Sequence, residues 1–120
     1  MIRVFIADDH SLMREGLKLI LSETDDVHVA GEATNGEEVL NALEKNSYDV
    51  IVLDINMPRK TGFEVLDELR ALGNQIPVLV LSTYCAEDYR DLATKKGAVG
   101  YITKEQAPEK LIDAIRKAVQ

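Results

Sequence analysis

The side chains best suited to chemistry in this chain stand where short apolar runs end. Asp8 and Asp9 follow the run 3–7, Asp54 closes the run 49–54, and Asn56 comes two residues later. Ser82 and Thr83 end the run 77–82, and Lys104 follows the run 99–103. Each has an ordinary reading by itself. Asp8 or Asp9 caps a helix, Asp54 and Ser82 form turns, and Lys104 is a solvated surface lysine. Their conjunction points elsewhere, because ligands of open α/β sheets bind at the carboxyl ends of the strands. Three carboxylates drawn together repel by about 4 kcal/mol per pair at about 4 Å and an effective dielectric of about 20. A hard divalent cation removes that repulsion. Mg²⁺ takes oxygen ligands, keeps several waters and then accepts phosphoryl oxygens. Lys104 would balance further negative charge and Ser82 would donate a hydrogen bond to it. Phosphate is then either a passing ligand or a group transferred to Asp54, since carboxylates also act as nucleophiles.

The elements that must position these residues follow from periodicity. The runs 3–7, 27–33, 49–54, 77–82 and 99–103 read as strands, separated by segments with apolar residues at helical spacing. The first helix, 11–22, carries Met13, Leu17, Ile20 and Leu21. The second, 36–45, carries Val39, Leu40 and Leu43, with Asn35 and Glu38 set as a capping-box-like start. The third, 62–72, opens on the Thr61/Glu64 capping box, buries Phe63, Leu66 and Leu69, and closes at Gly73. The fourth, 86–96, is the least apolar, with Tyr89, Leu92 and Ala93 as its stripe and Gly97 at its end. The fifth starts near Pro108 and presents Leu111, Ile112, Ile115 and Val119. The runs Val50-Ile51-Val52-Leu53 and Val78-Leu79-Val80-Leu81 are continuously apolar, as in strands buried on both faces of a parallel sheet. Strand and helix alternating five times predict a five-stranded parallel α/β sandwich with right-handed crossovers. Periodicity leaves the strand order open.

Composition bounds the rest. The chain has 120 residues, 46% of them apolar, which suits one domain with one core. Fourteen Lys plus Arg against 21 Asp plus Glu give a net charge of -7, so this segment has no basic footprint for nucleic acid. No apolar run approaches the roughly 18–20 residues of a membrane span, and the first residues lack a signal peptide's apolar stretch. The single cysteine, Cys85, excludes an internal disulfide and a Cys-based zinc site, and reads as a small neutral residue. A cytoplasmic location is expected.

With these residues assembled, the chain resembles the receiver domain of two-component response regulators. The likeness rests on Asp8-Asp9, on Asp54 followed by Ile-Asn-Met-Pro and Gly62, on Ser82, and on Tyr101-Ile-Thr-Lys104, in order and spacing across essentially the whole chain. It implies a flavodoxin-like three-layer fold. It also implies that Asp54 accepts a phosphoryl group from a histidine kinase, and that Asp9, Asp54 and the Asn56 main-chain carbonyl ligate Mg²⁺, with Asp8 joining through water. Ser82 and Lys104 would hold the phosphoryl oxygens, and Tyr101 would be the switch aromatic, its ring moving inward with Ser82. Met57-Pro58 would shape the loop beside Asp54. Without the resemblance, Tyr101 is a half-buried strand aromatic and Asn56 a loop asparagine. His10, at a helix start, reads as solvated and receives no metal role.

Three positions depart from the common pattern. Glu105 stands where many receivers carry proline, so a trans bond after Lys104 is expected. Thr83 replaces a smaller residue, and Tyr84 stands where it would partly cover the site. The Thr83 methyl group is expected to narrow access to the phosphate, and Tyr84 together with Asn56 to tune the phosphate's lifetime. The stretches Ala7-Asp8-Asp9-His10 and Val29-Ala30-Gly31-Glu32-Ala33, with Asn35-Gly36, resemble the NarL/LuxR-type branch. That implies a C-terminal helix-turn-helix domain beyond Gln120, through which DNA would be bound, and a homodimer on phosphorylation. The fourth helix, fifth strand and fifth helix, or the first and fifth helices, would supply its surface, and Leu12 and Leu19 are surplus to the first helix's stripe. The alternatives are a stand-alone receiver, a phosphorylation-independent interaction module and a small-molecule phosphatase. The last would carry a second Asp where Asn56 stands. A nucleotide-binding reading lacks a Gly-rich loop after the first strand.

Overall fold

The computed structural model describes residues 1–83 and 87–120, so the readings of Tyr84, Cys85 and the start of the fourth helix at Ala86 fall outside the described residues. The strands are β1 (Ile2–Ala7), β2 (Val27–Ala33), β3 (Val50–Asp54), β4 (Val78–Ser82) and β5 (Gly100–Thr103). The helices are α1 (Ser11–Leu21), α2 (Gly36–Lys45), α3 (Gly62–Ala71), α4 (Glu87–Lys95) and α5 (Ala107–Ala118), with a short 3-10 turn at Lys104–Gln106 ahead of α5. The expected alternation is therefore observed, with ends shifted by a residue or so. All strands pair in parallel in one sheet of order β2-β1-β3-β4-β5.

The sheet splits the core in two, because successive side chains of a strand point to opposite faces. Val4, Ile6, Val50, Val52, Leu79, Leu81 and Ile102 pack with Leu17 and Leu21 of α1 and Leu111 and Ile115 of α5. Phe5, Ala7, Ile51, Leu53, Val78, Val80 and Tyr101 pack with Val39, Val65, Leu66, Leu69 and Ala93 of α2, α3 and α4. The Cα radius of gyration is 12.8 Å.

Local signals explain the elements. Asn35 caps α2 by accepting from the Glu38 N–H at 3.0 Å. Thr61 and Glu64 form the capping box of α3 from both directions, at 3.2 and 3.1 Å. Pro108 sits in the first turn of α5. Arg70 seals the far end of α3, donating to the carbonyls of Asn74, Ile76 and Gly97 at 2.9, 3.1 and 2.8 Å.

Two helix stripes need correction. Leu92 of α4 is exposed, and of the expected Tyr89, Leu92 and Ala93 only Ala93 is buried. In α3, Val65 is fully buried whereas Phe63 is only partly so. Val119 also lies past the end of α5, at the surface. A short helix lying on a twisted sheet meets it along a stripe rotated from the one that periodicity alone favours.

Candidate functional site

Strand order decides where the polar ends meet. The chain runs from β1 outward to β2 and then back across to β3, so the crevice at this reversal opens between the carboxyl ends of β1 and β3. Ala7 pairs with Leu53, which sets Asp8 and Asp54 side by side one step further on. Ser82 lies on the next strand beyond Asp54, opposite Thr103, and Lys104 follows directly.

Alternation also sorts the side chains. Asp8, Asp54 and Lys104 continue the rows of Val4 and Ile6, Val50 and Val52, and Ile102, the face covered by α1 and α5. Ser82 and Tyr101 belong to the rows on the face covered by α2, α3 and α4. The charges and the candidate switch pair thus leave the sheet on opposite sides.

Asp8 is fully buried and tightly held. Its N–H donates to the Ala33 carbonyl at 3.1 Å, and its carbonyl accepts from Arg14 Nη1 at 2.7 Å. Its Oδ1 accepts from the His10 N–H at 2.9 Å. Arg14 is itself paired with Glu32 at 3.2 Å, which Lys18 also meets at 2.7 Å. Asp54 is 2% exposed, and its Oδ1 receives a long hydrogen bond from the Asn56 N–H at 3.4 Å. The loop after it folds back closely. The Gly62 N–H donates to Ile55 O at 2.8 Å, and a Cβ on Gly62 would lie 2.3 Å from the Asp54 carbonyl oxygen. Only glycine fits there.

The Oδ2 atoms of Asp8 and Asp54 are buried without a hydrogen-bond partner among the described residues. Lys104 Nζ stands 3.1 Å from the first and 3.5 Å from the second. It pairs with both as a charge. One ammonium therefore faces two buried carboxylates. Burial pushes the Asp54 carboxyl up to about 6 and the Asp8 carboxylate adds to the rise, while Lys104 and the Asn56 N–H oppose it.

This is a cation-hungry pocket. Donor atoms of Asp8, Asp9, His10 and Asp54 all lie within 4.8 Å of one another. Two orphaned carboxylate oxygens and an exposed Asp9 make a hard, oxygen-rich donor set of the kind that suits Mg²⁺. The Asn56 side chain is exposed in the loop beside it.

Among the described residues the sequence candidates Asp8, Asp9, Asp54, Asn56, Ser82 and Lys104 thus gather at one sheet edge. Ser82 is fully buried, and Thr83 is exposed beyond it. Tyr101 is more buried than a strand-edge aromatic would be, at 7% exposed, and its ring lies under the Arg90 guanidinium at 5.3 Å. No cis peptide bond occurs among the described residues, in line with Glu105 after Lys104. Thr103 N–H donates to Gln106 Oε1 at 3.2 Å, closing the turn that carries Lys104. Sequence reasoning missed two neighbours of the pocket, Arg14 on the Asp8 carbonyl and the His10 ring on the two acids. Arg14 stands four residues after the residue that opens α1, one turn above the loop, and that spacing is the signal that would have found it.

Comparison with known proteins agrees with this geometry. The response regulator receiver domain family matches residues 4–116, and the chain belongs to that family. It is 38% identical over 115 residues to the nitrate/nitrite response regulator protein NarL of Escherichia coli K12, covering 96% of this chain and 53% of that protein. It is 41% identical over 120 residues to the uncharacterized transcriptional regulatory protein YvfU of Bacillus subtilis, covering 100% of this chain and 60% of that one. The chain therefore spans a little over half the length of these curated relatives. A solved DNA-binding response regulator of the LuxR family from Staphylococcus aureus superposes with a TM-score of 0.91 at 28% identity, each chain covered in full. The chain is thus a receiver domain of response regulators, a signalling module whose relatives are transcriptional regulators. No described helix is long and apolar enough to cross a membrane.

Proposed function

We propose that Asp54 is the phospho-acceptor of a cytoplasmic signalling switch, charged by the phosphohistidine of a partner histidine kinase. The reading is carried by one observation: the two buried, orphaned carboxylate oxygens of Asp8 and Asp54 facing a single ammonium at the sheet's reversal point. Asp9, Asp54 and the Asn56 main-chain carbonyl would hold Mg²⁺, with Asp8 acting through a water. When bound, the ion offsets the carboxylates and draws phosphoryl oxygens toward Asp54.

The residues of the chain then do the following. Asp54 offers a carboxylate oxygen to phosphorus, a P–O bond forms, and the P–N bond breaks. The imidazole leaves with the electron pair and takes up a proton. Lys104 pairs with the transferred group's negative charge, and Ser82 hydrogen-bonds one of its oxygens. Hydrolysis returns the Asp54 carboxylate and free phosphate when water attacks phosphorus. The chain thus catalyses its own modification and its reversal rather than turning over a separate product.

Phosphorylation adds charge and three strong acceptor oxygens. Ser82 and Lys104 gain those partners only in that state, which biases the loop after β4, α4 and Tyr101 toward a second arrangement. The output is a changed surface for homodimerisation. In the longer protein it passes to a C-terminal helix-turn-helix domain that binds DNA and regulates transcription, the arrangement supported by the transcriptional regulators among its relatives.

Acetyl phosphate with Mg²⁺ tests the reading by intact mass. The expected result is a gain of one phosphoryl group in the wild type and none in Asp54→Asn. Asp9→Ala should remove most Mg²⁺ affinity. A wild type that stays unmodified would overturn the phospho-switch and leave a phosphorylation-independent interaction module.

A further inference from the structure

We propose that the Asn35–Gly36 peptide is a site of spontaneous modification, held in check by the folded start of α2, and that its isoaspartyl product displaces the loop between Asp54 and Gly62. The chemistry is intramolecular and needs only water. The Gly36 nitrogen attacks Asn35 Cγ, the bond from Cγ to the side-chain nitrogen breaks, and ammonia leaves with the proton given up by the peptide. Water then opens the cyclic imide. Breaking its bond to Cγ gives aspartate. Breaking its bond to the main-chain carbonyl carbon gives isoaspartate, in which the chain runs through the side chain.

Two separate packing demands bring this reactive pair together. Position 35 needs a side-chain acceptor, and Asn35 Oδ1 accepts from the Glu38 N–H at 3.0 Å. Position 36 has no room for a side chain. A Cβ there would lie 2.5 Å from Lys60 Cβ, 2.7 Å from Val65 Cγ2 and 2.9 Å from the Lys60 carbonyl oxygen. Glycine is therefore required at 36 by space. The same missing side chain leaves the Gly36 nitrogen unshielded toward Asn35 Cγ.

The folded turn holds the reaction off. Asn35 is extended, at φ -152° and ψ 168°, which keeps the Gly36 nitrogen out of the near-planar ring that closure requires. Leaving that conformation gives up the bond from the Glu38 N–H and the one from the Val39 N–H to the Asn35 carbonyl at 3.3 Å. Glu38 also ties down the preceding residue, its carboxylate accepting from the Thr34 N–H at 2.7 Å and the Thr34 hydroxyl at 2.6 Å. The rate is then set by how often this turn opens. The two products differ in consequence. Aspartate still caps α2. Isoaspartate adds a methylene to the main chain and moves Gly36 where it has no clearance from Lys60. The loop that carries Lys60 has no slack either. Arg59 is paired with Glu37 at 3.2 Å, and Gly62 is packed on the Asp54 carbonyl.

The test ages the wild type, folded and in guanidinium chloride, beside folded Glu38→Ala and the milder Thr34→Val, and reads residue 35 by peptide mapping. Deamidation should be at least about tenfold slower in the folded wild type than in the unfolded chain, and about fivefold faster in folded Glu38→Ala than in folded wild type, with Thr34→Val between them. Amide resonances then compare the purified isoaspartyl form with Asn35→Asp. Those of residues 55–62 should move in the isoaspartyl form and stay near wild type in Asn35→Asp. Equal rates folded and unfolded, or no acceleration in either variant, would overturn the lock. Matching loop resonances in the two products would overturn the displacement, and an Asn35 that survives intact in the unfolded chain would overturn the site itself. None of these readouts depends on Asp54 being a phospho-acceptor.

Discussion

Both faces of the sheet are closely packed, and they differ in how firmly the helices beside the site are held. On the α1/α5 side the charged residues are locked. Asp8 is bonded at its N–H, its carbonyl and Oδ1, and Arg14, Glu32 and Lys18 tie that loop to α1 and the edge strand β2. The helices there are pinned by Leu17, Leu21, Leu111 and Ile115, and Arg116 of α5 is paired with Asp26. On the other side, α4 buries only Ala93 among its described residues, and its links there include Arg90 over the Tyr101 ring and donating to its carbonyl, and Tyr89 stacked on Phe63. Charge is gathered where Asp8 is bonded on every side, and little apolar area holds α4 down. That division suits a switch: a local change in charge is communicated to a distant surface through the element that shifts most easily.

Removing the ammonium that the two buried carboxylates share breaks that division most sharply. Lys104→Met should destabilise the metal-free domain by about 3 kcal/mol, because two buried carboxylates lose the ammonium they share. A fall in melting temperature of about 10 °C in chelator, largely recovered in excess Mg²⁺, is the expected outcome. An equal loss with and without Mg²⁺ would mean that Lys104 acts by packing.

The converse change relieves the same repulsion. In the metal-free domain the Asp54 carboxyl titrates at about 6 when folded, above the ordinary 3.8. The folded state then binds more protons than the unfolded state between those values, so stability is highest at acid pH and falls as pH rises through about 6. Asp54→Asn should gain about 2 kcal/mol at neutral pH without metal and flatten that slope. Denaturant titrations across pH 4 to 7 in chelator check it, and an unchanged slope would place the charge strain on another group.

Changes on the loose side should be small for stability and visible in dynamics. Arg90→Ala is expected to cost under about 1 kcal/mol. It should nevertheless broaden the Tyr101 signal in fluorotyrosine NMR, as the buried ring loses its cover. Leu92→Ala, on an exposed face, should change stability by less than about 0.5 kcal/mol. A large loss from Leu92→Ala would show that α4 is anchored in solution by a contact that this arrangement lacks.

Much of the site was legible because it sits at strand ends. Asp8, Asp54, Ser82 and Lys104 each interrupt or follow an apolar run, and a parallel sheet brings all such ends to one edge. Arg14 and His10 were not legible in the same way. Both lie in or near a helix start where arginine and histidine are unremarkable, and their contacts depend on how α1 leaves the loop. The stripe of α4 was misread at Leu92, and Val65 was overlooked in α3, because helical periodicity gives a direction only relative to the helix's own axis.

By itself the sequence determined the alternation of strands and helices, the parallel buried sheet, and the set of acids, hydroxyl and ammonium at the strand ends. These are local properties, written in side-chain period, caps and turn residues. Only the tertiary structure decided the order β2-β1-β3-β4-β5, and with it the crevice where Asp8 meets Asp54. It also decided that Lys104 faces both acids and that the His10 ring turns to them rather than to its helix. Those relations join residues from distant parts of the chain through packing, and no period along the chain encodes which elements end up adjacent.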